Sequence, residues 1–259
     1  MHRTGPDLDF PRLSEHGRFA FPSPETWTGW VVAVGGNLSP GMLLSAYEQG
    51  IFPWYNPEDP LLWQSPDPRL VIFQEKLHLS ASMTKILKRK VFEIAFDRDF
   101  EGVIRGCARA ARPGQDGTWI SEDIIAAYTE LHRLGWAHSA EARQGGELAG
   151  GCYGIGLGNA FFGESMFAEK PNASKAAFLT LARTLFADRI RFIDCQVHTD
   201  HLASLGGEEI SRGEYLSLLK KALAVRRYAG GRTMDRRGNW GERYGMSRVP
   251  AGGSTAYAD

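Results

Sequence analysis

The sequence lacks any run of about 18 apolar residues, the length a membrane-spanning helix needs. The segment from Met1 to Glu15 is charged and has no apolar core of a signal peptide. A soluble, cytoplasmic chain with no membrane partner is expected. Net charge is also absent, because 30 Lys and Arg balance 30 Asp and Glu. No global field then draws in polyanions, and any nucleic-acid contact must come from a local basic patch. Cysteine is scarce: Cys107, Cys152 and Cys195 stand far apart with no C-x-x-C pair, which argues against a zinc ribbon and a disulfide framework and fits a reducing compartment. There is no G-x-x-x-x-G-K-[ST] motif, and the run Gly150 to Gly158 is followed by Asn159 where a dinucleotide fingerprint needs glycine. Tight turns explain those glycines, and no cofactor is expected.

What is present suits one large domain, or one domain with a small lobe: 43% of residues are hydrophobic and 23% charged. Residues Ile51 to Asn56 and Leu62 to Arg69 form an aromatic, proline-rich run with no helical or strand period. Prolines at 53, 57, 60, 66 and 68 fix φ and remove donors, so this segment is expected to be neither a helix interior nor a central strand. A stiff loop of this kind can stack its rings on a nucleobase or plug a seam between lobes. Buried aromatics being mostly core, spacing alone favours the plug.

Punctuation by Gly, Pro and capping residues divides the remainder. Residues 1 to about 20 read as a loose lead-in, and a small N-terminal lobe is expected over 21–75, with a strand at Trp30 to Val34 and a helix started by Ser39-Pro40 and closed by Gly50. Leu70 to Phe73 reads as a strand, Ser80 to Lys90 as a helix and Phe92 to Phe96 as a strand. Asp99 to Ala110 and Ser121 to Leu134 read as helices. A β-meander is expected over Ala137 to Arg143, Glu147 to Ile155 and Asn159 to Phe162. A helix over Asn172 to Phe186, a strand over Arg191 to Val197 and a helix over Arg212 to Val225 complete an α+β order. The larger domain is assigned to 76–225, and 226–259 reads as a mobile basic tail.

Three polar residues interrupt apolar strands. Asp194 and Gln196 share a strand face by their spacing, and Glu164 sits inside the apolar run Phe161 to Phe167. Buried polar groups need partners, so the three suggest either a pocket floor or a satisfied structural network. On the helix after Ser80, Lys85, Lys88 and Arg89 recur at i, i+3 and i+4 and fit a phosphate-contacting stripe or a solvated face. His198, Asp200 and His201 lack a third metal ligand of the usual kind, so a turn or helix start is expected there and no metal.

Together these segments resemble the bacterial leucyl/phenylalanyl-tRNA-protein transferases. The resemblance rests on Phe52-Pro53-Trp54, Trp63 to Arg69, Gly117 to Ile120, Gly163 to Phe167, Asn172 to Lys175, Asp194 to Val197 and His201 to Gly206. It implies a small N-terminal lobe and a C-terminal domain of GNAT acyltransferase fold with a mixed, mostly antiparallel sheet. The implied activity is transfer of Leu, Phe or Met from aminoacyl-tRNA to proteins with N-terminal Arg or Lys, tagging them for N-end-rule degradation. It further implies that Asp194 and Gln196 are catalytic, that Glu164 holds the donor's α-ammonium, and that Trp54 and Trp119 flank the terminal adenine. Phe161, Met166, Phe178 and Ile193 are then candidate walls of the amino-acid pocket. Two other readings stay open: a CoA-dependent N-acyltransferase, for which no [RQ]-x-x-G-x-[GA] loop is present, and a non-catalytic tRNA or N-terminus binding module.

Overall fold

A computed structural model describes residues 5–7, 9–56, 58–110, 118–224, 228–229 and 232–233. The N-terminal part contains β1 (Val31–Val34), α1 (Pro40–Glu48), β2 (Phe52–Pro53) and β3 (Leu62–Gln64). Residues 9–20, expected to be loose, carry no helix or strand and are nevertheless fixed to α1. Leu13 N donates to Ser39 Oγ at 3.0 Å, Phe19 N to Ser45 Oγ at 2.9 Å, and Asn37 Nδ2 to Phe10 O at 2.7 Å. Ser39, the expected N-cap, thus turns its hydroxyl to the strap rather than to its own helix.

The aromatic run departs from expectation. Its residues Leu62–Gln64 are the central strand of a three-stranded antiparallel sheet ordered β1-β3-β2. The prolines permit this because Pro53 falls on edge strand β2 while Pro60, Pro66 and Pro68 lie outside β3, leaving its three ladder residues free of them.

The larger layer is a seven-stranded sheet. Its members are β4 (Arg69–Ile72), β5 (Glu93–Phe96), β6 (Ala137–Gln144), β7 (Glu147–Leu157), β8 (Ala160–Ala168), β9 (Phe192–Gln196) and β10 (Glu208–Ile210), in the order β10-β4-β9-β8-β7-β6-β5. Every pairing is antiparallel except β8 with β9. The expected α+β class with a mixed, mostly antiparallel sheet is therefore what forms. Strand β4, assigned by sequence to the small lobe, belongs to this sheet.

Six further helices, among the described residues, are α2 (Ala81–Lys88), α3 (Phe100–Arg109), α4 (Glu122–Arg133), α5 (Ala173–Ala187), α6 (Asp200–Ser204) and α7 (Arg212–Leu223). Alternating strand residues feed two cores. Val71, Tyr153, Phe162 and Phe192 pack with α1, α3, α4 and α7, while Leu70, Ile72, Cys152, Phe161 and Ile193 pack with α2 and α5. Of the expected tail, residues 228–229 pair with 232–233; the rest of it lies outside the described residues, as does Gly117.

A fork at the sheet's centre positions the site. The parallel ladder runs only from Ala160–Phe192 to Phe162–Asp194, yet β8 continues to Ala168 and β9 to Gln196. Both strands also bulge there. Tyr153 faces Ser165 and Gly154 faces Gly163, leaving Glu164 as an extra residue; Leu70 faces Gln196 and Val71 faces Asp194, leaving Cys195 as another. The meander strand expected over Asn159 to Phe162 is longer, since β8 continues through the bulge at Glu164 to Ala168.

Gly154 is required beside it, since a Cβ there would lie 2.2 Å from the Phe162 carbonyl oxygen. Gly154→Ala is expected to destabilise the protein by about 1–3 kcal/mol, read as a lowered urea midpoint; an unchanged midpoint contradicts the close approach.

Candidate active site

Glu164, raised on its bulge, meets side chains from three other elements. Tyr47 of α1 donates its hydroxyl to Oε1 at 2.8 Å, Tyr128 of α4 donates to Oε2 at 3.1 Å, and Gln196 Nε2 donates to Oε1 at 2.9 Å. The two tyrosine hydroxyls also meet each other, and since each carries one proton, that contact is a hydrogen bond only when one hydroxyl turns its hydrogen from Glu164 to the other or when the carboxyl is itself protonated. Burial pushes the Glu164 carboxyl up to about 7, with Asp194 adding to the rise, and the tyrosine hydrogen bonds and Arg69 oppose it. Burial raises both tyrosines well above their ordinary value, with the Glu164 charge second, so they remain neutral donors. Gln196 sits in the left-handed region, φ 66°. Its amide nitrogen is committed to Glu164, which leaves the carbonyl oxygen as the acceptor it can offer.

Behind this pair lies a buried ion pair. Arg69 donates to Asp194 through Nε at 2.9 Å and Nη2 at 2.7 Å, and neither side chain is exposed. Tyr215 donates to Asp194 Oδ2 at 2.7 Å and Gln196 N donates to Oδ1 at 2.9 Å. Arg69 also lies over the rings of Phe52 and Tyr215, 4.8 and 4.5 Å from their centroids. Burial is the largest influence on the guanidinium and lowers its pKa, but the Asp194 charge and hydrogen bonds, with the neighbouring Tyr215 and Tyr47, together overcome it and hold Arg69 above its ordinary value. Asp194 follows the alternation set by Phe192 and Ile193 and turns to Arg69 and Tyr215 on the face of Val71 and Phe162, while Gln196, beyond the bulge at Cys195, lines the cavity beside Glu164.

A cavity of about 280 Å³ opens at the fork. Glu164, Gln196, Trp54 and Trp119 line it, together with Phe161, Met166 and Phe178. Asp194 and Ile193 do not: Ile193 pairs with Phe161 and packs in the core beneath. Lys85, Lys88 and Arg89 are exposed at the C-terminal end of α2, outside the cavity wall. Thr199 caps α6 by accepting from Leu202 N at 3.2 Å, so residues 198–201 are the helix start expected, and no group of His, Cys, Asp and Glu among the described residues is arranged to hold a metal.

The sequence reading gave no role to Arg69, Tyr47, Tyr128, Tyr215, Cys152 or Leu181. A buried Asp194 demands a cation, and Arg69, heading an apolar strand, was the signal available. The tyrosines approach from 36 or more residues away in sequence from Glu164, and nothing local marks them.

The cavity offers a carboxylate, two indoles and an apolar wall, and the class of protein around it, an aminoacyltransferase, is given by the relatives of the chain. Residues 71–220 match the family described as Leucyl/phenylalanyl-tRNA protein transferase, and residues 36–67 match that family's N-terminal domain. The chain is 55% identical over 205 residues to a leucyl/phenylalanyl-tRNA--protein transferase of Anaeromyxobacter sp. (strain Fw109-5), covering 79% of this chain and 87% of that one. It is 48% identical over 231 residues to the transferase of that name from Myxococcus xanthus (strain DK1622), covering 89% and 95%. It belongs to the leucyl/phenylalanyl-tRNA protein transferase family. Among solved structures, a GCN5-related N-acetyltransferase from Kribbella flavida is 10% identical with a TM-score of 0.36, covering 67% of this chain and 62% of that chain, a likeness too low to carry an argument. No helix among the described residues is long and apolar enough to cross a membrane.

Two outcomes follow from this geometry. Because the folded Glu164 carboxyl lies near 7 against an ordinary 4.5, its contribution to stability is full below about 4.5 and is lost as pH rises through about 7. Burial raises Glu141 in the same direction, so the readout is a difference: the wild-type melting temperature should fall more than that of Glu164→Gln between pH 5 and 8, and parallel curves contradict the assignment. Removing Asp194 leaves the Arg69 charge buried and unpaired, so Asp194→Ala should cost about 3–5 kcal/mol of stability by denaturant titration, and a loss under about 1 kcal/mol is the contrary result.

Proposed function

We propose that the protein transfers Leu, Phe or Met from aminoacyl-tRNA to the α-amine of proteins beginning with Arg or Lys, in the cytoplasm, and so marks them for N-end-rule degradation. The observation that carries this reading is the meeting of Glu164 and Gln196 with Trp54, Trp119 and an apolar wall in one cavity. Trp54 and Trp119 flank the terminal adenine. Glu164 takes the donor's α-ammonium by a charge-assisted hydrogen bond, for which Tyr47 and Tyr128 fix its orientation. Phe161, Met166 and Phe178 receive the side chain; a slot narrow near Cβ accepts unbranched Leu, Phe and Met and rejects Val and Ile. Lys85, Lys88 and Arg89 contact the tRNA backbone.

The chemistry is aminolysis of an ester. The acceptor nitrogen attacks the aminoacyl carbonyl carbon, the bond from that carbon to the ribose oxygen breaks, and the amine's proton ends on the released ribose hydroxyl. Positioning supplies much of the rate. The Gln196 carbonyl oxygen accepts from the attacking amine and orients it, being too weak a base to keep the proton. Asp194 acts through its neighbours: with its oxygens occupied by Arg69, Tyr215 and Gln196 N, it fixes the left-handed backbone that aims Gln196.

The test is transfer of labelled leucine from Leu-tRNA to a peptide with a free N-terminal Arg, beside an N-acetylated peptide and a Leu-CoA donor. Transfer from tRNA to the free peptide alone is expected. Transfer from CoA, or none by a folded preparation that binds tRNA, contradicts the reading and favours the thioester or binding-module alternative respectively. Gln196→Ala should lower kcat about 100-fold or more with the melting temperature kept within a few degrees, and full turnover in that variant removes Gln196 from the mechanism.

A further inference from the structure

Beyond its apolar wall the cavity has a polar end. Phe178 and Leu181 line the cavity from α5, and Ser174 and Lys175 stand four and three residues before Phe178, on the same side of that helix and one turn closer to its start. His201 of α6 lines the cavity too. It lies close enough to Lys175 that the ammonium charge, after burial, holds its imidazole below the ordinary range. Three polar residues thus stand at the end of the cavity where α5 begins.

None of the three has a side-chain partner among the described residues. Ser174 is 9% exposed and its hydroxyl makes no hydrogen bond, while His201 Nε2 is shielded from solvent and makes none either. Lys175 is the one lysine among the described residues that is not exposed, and it makes neither an ion pair nor a hydrogen bond there. Glu169 and Asp200, the carboxylates that flank this end in sequence, are exposed and do not pair with it. Helix α5 has no acidic residue in its first turn, so the lysine also faces the positive end of the helix dipole. A half-buried ammonium in that setting is costly until an anion reaches it.

An aminoacyl-tRNA carries such an anion next to its reacting end. The terminal adenosine is joined on its 5′ side by a phosphodiester, which bears one negative charge and accepts several hydrogen bonds. We propose that Lys175, with Ser174 and His201, forms a phosphate subsite that holds the phosphodiester 5′ to the donor's terminal adenosine. This rests on the donor reading given under Proposed function. Lys175 supplies the charge, and the Ser174 hydroxyl and the neutral His201 imidazole supply further donors. Exposed Lys85, Lys88 and Arg89 add general attraction, whereas a half-buried contact fixes the register of the 3′ end and so the place of the ester beside Gln196.

The experiment compares three donors, 3′-O-leucyl-adenosine with and without a 5′-phosphate and Leu-tRNA, using the full chain as wild type, Lys175→Gln and Lys175→Arg. The wild type is expected to take the phosphorylated small donor at a KM about tenfold lower, the gain of a hydrogen bond to a charged group. Lys175→Gln should lose that preference while its KM for the unphosphorylated donor stays unchanged. With Leu-tRNA, the slope of log KM against log salt should become shallower by about 0.7 in Lys175→Gln, the share of one single-strand phosphate. Lys175→Arg should keep both the preference and the slope. Where Lys175→Gln does not fold, Lys175→Met, which keeps the apolar stem, carries the comparison. No phosphate preference in the wild type, an equal loss for both small donors, or a rise confined to the KM of the acceptor peptide overturns the proposal, and the last assigns the lysine to an acidic group of the acceptor. A wild type that transfers leucine from none of the three contradicts the donor reading itself, and the subsite falls with it.

Discussion

The buried pair Arg69–Asp194 is the constraint on which the rest of the site depends. Two charges removed from water are tolerated only where each is met by several partners. Here they are: Asp194 accepts from both guanidinium nitrogens, from Tyr215 and from Gln196 N, while Arg69 also reaches the Gly50 carbonyl and lies against two rings. These partners come from α7, from the strand carrying Gln196 and from the turn that ends α1. One ion pair thereby fixes the distance between the small sheet's aromatic segment and the sheet that carries the cavity. It is a device for geometry more than for stability, because an apolar replacement of equal volume can be as stable.

From that anchor the fork follows. Two strands that pair for three residues and then part leave a gap in the sheet, and a gap with unpaired strand edges is costly unless side chains or a ligand occupy it. Bulges on both strands turn Glu164 and Gln196 toward it. Glu164 is held near neutrality between burial, which disfavours its charge, and hydroxyl donors, which favour it. A carboxyl so balanced gains its full charge when a cation arrives, which suits reversible capture of an ammonium group better than a permanently paired carboxylate does.

Much of this was legible in the sequence, and the exceptions have physical causes. Helices α4 and α5 and the meander of β6 and β7 are readable because capping residues, glycine turns and apolar periods agree locally. The length of β8 was not, because its bulge interrupts the alternation on which strand reading depends. Strand β3 was hidden by prolines that flank it without entering it. At the site, Glu164 and Gln196 were visible as polar residues on apolar strands, and Trp54 and Trp119 through their motifs. The burial of Asp194 against Arg69 and Tyr215 was not, since strand period gives a residue's face and not its distance from a cavity. Tyr47 and Tyr128 were out of reach because their contacts are set by how α1 and α4 dock, and no local pattern encodes that. Ile193, a plausible wall by its neighbours, lies one layer too deep.

A crystal structure with a non-hydrolysable aminoacyl-adenosine amide bound tests the central claim most directly. The adenine should lie between Trp54 and Trp119, the α-ammonium against Glu164, and the side chain against Phe161, Met166 and Phe178. Ligand density outside the fork, or an ammonium group turned away from Glu164, would contradict it.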